Sequence, residues 1–202
     1  MRARAAISIL AGGLALGAAV MLSGQQKSDK PAMDEKVMME LWQKMSTPAA
    51  PHKKLQPLVG SWTARNSLWM DPSKPPEVTD GTRESRWALG GRYVEDRYEG
   101  TFMGQPFSGI GYTGYDNYKK AYVGTWIDSA STAVMNASGS FDPPGKVLTM
   151  TATADDFATG KVATIREKVT IVSNDEHLFE MWGPGPDGKE YKVMEIRYTR
   201  KN

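Results

Sequence analysis

The chain has no cysteine. This excludes a disulfide framework, a lipid-anchored cysteine, a thiol nucleophile and Cys-ligated zinc or iron–sulfur centres, so stability has to come from the core. Histidine is almost as scarce: His52 and His177 are the only two in 202 residues. Two histidines this far apart in sequence do not make a convincing zinc site. An excess of one charge is also missing. The 25 Lys and Arg are nearly matched by 23 Asp and Glu, which argues against nucleic acid or another polyanion as partner. There is no Walker loop, dinucleotide fingerprint, heptad run or Gly-x-Ser-x-Gly elbow. The nearest string to an elbow, Ser138-Gly139-Ser140, falls within a strand pattern.

Long apolar runs are absent except for one, Ala5 to Leu22, preceded by Arg2 and Arg4. A cationic start followed by an Ala/Gly/Leu stretch predicts a secretory signal peptide over residues 1–24, with small residues suiting cleavage after Ala19 or Gly24. A retained membrane anchor is the alternative, the 18-residue run being at the short end of what spans a bilayer. Removing Arg2 and Arg4 brings the cations level with the 23 acids. The expectation is an exported protein, periplasmic or extracellular, with no membrane contact after cleavage. Its oligomeric state is not readable from the sequence.

Residues 25–57 divide into a polar linker and an amphipathic helix. Asp34 is a candidate N-cap, and Val37, Met38, Leu41, Trp42 and Met45 share one helical face. Pro48 and Pro51 end the helix. Its other face is mixed in sign rather than basic, which predicts packing on the following domain rather than on a membrane surface. From residue 58 to 202 the hydrophobic period becomes two. Strands are predicted at 60–69, 82–89, 92–101, 107–115, 119–128, 131–141, 146–154, 160–173, 177–183 and 189–200. Turn chemistry separates them at Gly90-Gly91, Asp116-Asn117, Asp142-Pro143-Pro144-Gly145, Asn174-Asp175 and Pro186-Asp187-Gly188. Connections this short force neighbours antiparallel. Closing such a meander removes both raw edges, so the predicted fold is all-β, an antiparallel up-and-down barrel of about ten strands with an N-terminal helix.

Several longer motifs are distinctive: His52-Lys53-Lys54-Leu55, Gly60-Ser61-Trp62, Trp69-Met70-Asp71-Pro72, Leu89-Gly90-Gly91-Arg92-Tyr93 and the stretch from Gly109 to Asp128. Together they resemble a bacterial family known as domain of unknown function fifteen-seventy-nine, over about residues 33–200. Gly60-Ser61-Trp62 also resembles the opening of the calycins, which include lipocalins, fatty-acid-binding proteins and nitrobindin-like haem barrels. That resemblance implies a barrel able to hold a small molecule, and a tryptophan stacked on an arginine from a late strand. Trp62 and Arg200 are the matching positions. Alternation in the final strand turns Met194, Ile196, Tyr198 and Arg200 to one face, so the pair is predicted to close the barrel floor.

Trp87, Trp126, Met135, Met150 and Met181 fall within predicted strands and are the candidate cavity-lining residues. The same side chains could instead fill the barrel. Glu95 and Arg97 share one face of the third predicted strand. Turned inward they would orient a carboxylate or amide; turned outward they are a surface charge ladder. His177 could serve as an axial haem ligand only if it points inward from within a strand. No residue is assigned to catalysis and no cofactor is called for. The favoured function is binding of a small apolar or amphipathic ligand. An enzyme or a nitrobindin-type haem barrel, and a structural or partner-binding envelope domain, are the alternatives.

Overall fold

The computed structural model describes residues 34–156, 160–185 and 187–201. The predicted signal peptide 1–24 and the start of the linker, 25–33, lie outside them. The Asp34 carboxylate accepts from the N–H groups of Lys36 and Val37 and so caps helix α1, Glu35–Ser46. A short helix α2, Ala50–Lys53, and a 3-10 turn, Gln56–Leu58, lead into the strands. These are β1 (Gly60–Leu68), β2 (Glu77–Ala88), β3 (Tyr93–Phe102), β4 (Gln105–Asp116), β5 (Ala121–Asp128), β6 (Met135–Phe141), β7 (Val147–Asp156), β8 (Lys161–Ile171), β9 (Glu176–Pro184) and β10 (Glu190–Arg200). Each pairs antiparallel with its sequence neighbour, and β1 pairs with β10, so the ten strands form a closed barrel.

The strand boundaries differ from the pattern chiefly in β2. Its first five residues, Glu77 to Gly81, read as turn composition, yet they pair with β1 from Leu68 down to Ala64. A long neighbouring strand supplies a ladder that local propensity does not reveal. One irregularity, in β10 between Lys192 and Met194, shifts the register against β9 and returns Met194 to the inner face.

Alternation sorts every strand into an inner and an outer face. The inner face carries Trp62, Ala64 and Asn66 from β1, Val94 and Tyr98 from β3, and Ile196 and Tyr198 from β10, all buried. One end is closed. Leu55 and Leu58, from the segment before β1, are buried under it, and the Tyr122 hydroxyl donates to the Pro51 carbonyl at 2.9 Å.

Helix α1 corrects the expectation that it packs on the barrel. None of its residues is buried, and Val37, Met38, Leu41 and Trp42 are 46–61% exposed. Its C-terminal end is tied down by Asn117, whose side-chain amide donates to the carbonyls of Met45 and Thr47 at 3.0 and 2.8 Å. Amphipathic spacing states that one face is apolar, not which surface covers it. Among the described residues no helix is long and apolar enough to cross a membrane.

Candidate functional site

The closed end is built around Trp62, which is fully buried. Its indole N–H donates to the Leu58 carbonyl at 3.1 Å. The Arg200 guanidinium lies 4.1 Å from the Trp62 ring centroid, and the two residues are register partners between β1 and β10. Arg200 also donates to the carbonyls of Val59 and Asn174 at 3.0 and 2.6 Å. Gly60 makes this approach possible. Its φ is +143°, and a Cβ there would lie 2.0 Å from Arg200 Nη1.

Above Trp62 sits His177, buried on β9, with its ring edge-on to Trp62 at 4.3 Å and stacked on Tyr198 at 4.6 Å. Its Nε2 lies 2.5 Å from Arg83 Nη2. Arginine can only donate, so Nε2 is the acceptor and the proton is on Nδ1. Burial, then the charges of Arg83 and Arg200, push the imidazole down to about 2, so it is neutral across the physiological range. Both ring nitrogens are enclosed and Nε2 already has its donor. The imidazole therefore does not fit an axial haem ligand. Arg83 is balanced by Asp96 at 3.6 Å, and Asp96 accepts from the Ser85 hydroxyl at 2.5 Å. Ser85 therefore hydrogen-bonds to Asp96 rather than to His177, and the group is not a nucleophile–base pair.

Beyond this plug the inner face changes character. Phe107, Trp126, Met135, Ile165, Met181 and Met194 point inward yet are only partly buried. In a closed barrel an inward side chain can meet solvent only through the lumen. The core is also split. One cluster joins Leu55, Val94, Tyr122, Leu148 and Met150, and a second joins Trp62, Tyr98, Ile196 and Tyr198. A barrel filled throughout would give one contiguous core.

Glu167 stands on the inner face of β8 at this seam. Its register partners are Met150 on β7 and Met181 on β9, and Ile165 and Val169 flank it on its own strand. It is 6% exposed, and no described residue hydrogen-bonds to it or pairs with its charge. Burial alone pushes its carboxyl up from 4.5 to about 7. Sequence reasoning missed it, although a signal was present. Along β8, the alternate residues Ala163, Ile165, Glu167, Val169 and Ile171 make an apolar face interrupted by a single acid.

The predicted cavity-lining residues do not all meet. Trp126, Met135, Met150 and Met181 are on the inner face, with Met150 buried. The Trp126 indole N–H donates to Asp128 at 2.8 Å. Trp87 sits at the closed end, where its indole N–H donates to the Gln56 side chain at 2.9 Å beside an open cleft of about 350 Å³ next to α2. Glu95 and Arg97 are on the outer face of β3, opposite Val94, Asp96 and Tyr98, so they line no cavity. Glu95 accepts from the Tyr112 hydroxyl (2.9 Å), Arg97 (2.8 Å) and Arg86 (2.9 Å). Those hydrogen bonds, the one from Tyr112 foremost, hold its carboxyl below the usual range. The strand is polar on both faces because its inner face carries Asp96 toward Arg83, which alternation alone cannot distinguish. His52 is buried within α2, where Nδ1 accepts from the Ala49 N–H at 3.0 Å. Among the described residues no group of three His, Asp or Glu could hold a metal ion.

A family model described as "Protein of unknown function (DUF1579)" matches residues 47–200. No curated protein matches the sequence. Among solved structures, Rv2717c from M. tuberculosis is similar at 14% identity and a TM-score of 0.57, over 77% of this chain and all (100%) of that one. The S-type phycobiliprotein lyase CPES from Guillardia theta is similar at 12% identity and a TM-score of 0.51, over 76% of this chain and 94% of its own. At these identities the likeness is one of fold, a closed antiparallel barrel.

Proposed function

We propose, for a chain that belongs to the DUF1579 family, that the barrel is a binding protein for a small apolar or amphipathic molecule held in its lumen. The observation that carries this reading is the set of inward apolar side chains, Trp126, Met135 and Met181 among them, that remain partly exposed inside a closed sheet. Burying them against a guest would return about 25 cal/mol for each Å² removed from water. Methionine suits an irregular guest because its side chain is unbranched and polarizable.

Native mass spectrometry of the purified full-length protein tests the reading. The expected spectrum contains a satellite species heavier by one small organic molecule, lost on collisional activation. A bare-mass spectrum, together with no binding of any apolar probe, would leave the lumen a packing defect. Export is part of the same proposal, supported by Arg2, Arg4 and the apolar run that follows. N-terminal sequencing of protein recovered outside the cytoplasm should begin near residue 20 or 25. An intact Met1 in the membrane fraction would replace cleavage with a retained anchor.

A further inference from the structure

We propose that Glu167 is the polar anchor of the lumen and that the guest is an apolar molecule carrying a basic amine. This deepens the ligand-binding reading above and rests on it. The first argument is placement. Glu167 projects inward from the middle of β8, between Met150 and Met181, at the seam where the two core clusters fail to merge. The second is the lack of a partner. A carboxyl set in an apolar wall without a hydrogen bond costs stability, and folded proteins rarely retain one that does nothing. The outer-face acids of the same region behave differently. Glu180 pairs with Lys168 at 3.4 Å and Lys192 at 3.5 Å, and Glu190 pairs with Arg166 at 2.6 Å.

The chemistry of the missing partner follows from what the lumen offers. The groups facing Glu167 from β7, from β9 and along β8 are Met150, Met181, Ile165 and Val169, none of which donates a hydrogen bond. The Asn66 side-chain oxygen on β1 is buried and also lacks a partner. Both oxygens accept, and the inward donors without a partner, the Tyr98 hydroxyl and the Nδ1–H of His177, are themselves fully enclosed, so the guest has to bring the donor. The inward cations are already committed, Arg83 to His177 and Asp96 and Arg200 to the Val59 and Asn174 carbonyls at the floor, so Glu167 leaves the lumen with uncompensated negative charge. An ammonium on an apolar body satisfies both needs. Its charge pairs with the carboxylate and its chain covers the Met and Trp wall. A fatty acid would bring a second carboxyl against Glu167, and an alcohol would donate without charge.

The test is isothermal titration of the full chain at pH 7.5 with three probes of equal length: decylamine, decanol and decanoic acid. A hydrogen bond to a charged group predicts that decylamine binds about 10- to 100-fold tighter than decanol. In Glu167→Gln the gap should narrow to about threefold or less, with decanol binding retained. Glu167→Leu should behave alike and guards against a folding defect in the first variant. Glu180→Gln removes an acid from the outer face and should leave the amine preference intact, which separates anchoring from general charge attraction. Equal binding of decylamine and decanol to the unmodified protein overturns the anchor while the binding reading stands. So does tightest binding of decanoic acid, or an amine preference that survives in both Glu167 variants. If none of the three probes binds, the ligand-binding reading itself fails, and the anchor with it.

Discussion

Trp62→Ala is expected to destabilise the protein by about 3–5 kcal/mol, the usual cost of truncating a large buried aromatic. Trp62 is 0% exposed and holds the closed end together from three sides: the Leu58 carbonyl, the edge-on ring of His177 and the guanidinium of Arg200. Truncation opens a cavity under His177 and frees the Leu58 carbonyl at once. Arg200→Ala should cost less, about 1–3 kcal/mol, because it mainly leaves carbonyls unbonded at a partly solvated rim. The two losses should not add. A cation over an indole face contributes about 0.5–2 kcal/mol, and the double-mutant cycle reads that coupling directly. Urea denaturation of the two single variants and the double variant measures it. Strictly additive losses would mean that the 4.1 Å contact carries no energy.

Glu167→Leu is expected to do the opposite and stabilise the protein, and only at higher pH. The folded-state carboxyl is raised from 4.5 to about 7, so between those values the folded protein binds the proton more tightly than the unfolded chain. Stability therefore falls as pH rises through that window and levels off above it. The shift corresponds to roughly 3 kcal/mol. At pH 8.5 the Leu variant should be more stable by up to about that amount. At pH 4, where the acid is mostly protonated in both states, the variant and the unmodified protein should differ chiefly by packing, under about 1.5 kcal/mol. Urea midpoints at the two pH values decide it, and a pH-independent difference would place the carboxyl in a solvated setting. His177 adds its own dependence, since a buried neutral imidazole loses stability below about pH 6.5. It is unchanged in both proteins and cancels in the comparison. Retaining an acid that costs stability in the empty protein is the pattern of a functional site.

The two predictions meet in one molecule because the barrel interior is divided. The end built on Trp62, His177, Tyr198 and Arg200 is packed and hydrogen-bonded. The remainder carries Trp126, Met135, Met181 and an unpartnered acid. A rigid floor under a partly open lumen lets a guest be held without cost to the closure of the sheet.

The fold was legible because its determinants are local. Period-two alternation and turn residues such as Asp142-Pro143-Pro144-Gly145 and Asn174-Asp175 set ten antiparallel strands, and the penalty on raw edges closes them. Asp34 as N-cap of α1 was equally local. What alternation cannot do is say which of two polar faces turns inward. Asp96 rather than Glu95 points to the lumen because Arg83, thirteen residues away on β2, waits there with His177, and no local pattern encodes that meeting. Nor can the helical period of α1 say what covers Val37, Leu41 and Trp42, and in the folded chain nothing among the described residues buries them. The pairing of Arg200 with Trp62 and the isolation of Glu167 between Met150 and Met181 are set by barrel closure and register. The sequence by itself determined strand number and direction, because each rests on contacts between neighbours along the chain, and closure followed from the penalty on two raw edges. Which side chains share the lumen, which of them find partners there and which one is left without were decided by the tertiary structure, because those contacts join strands that are distant in sequence.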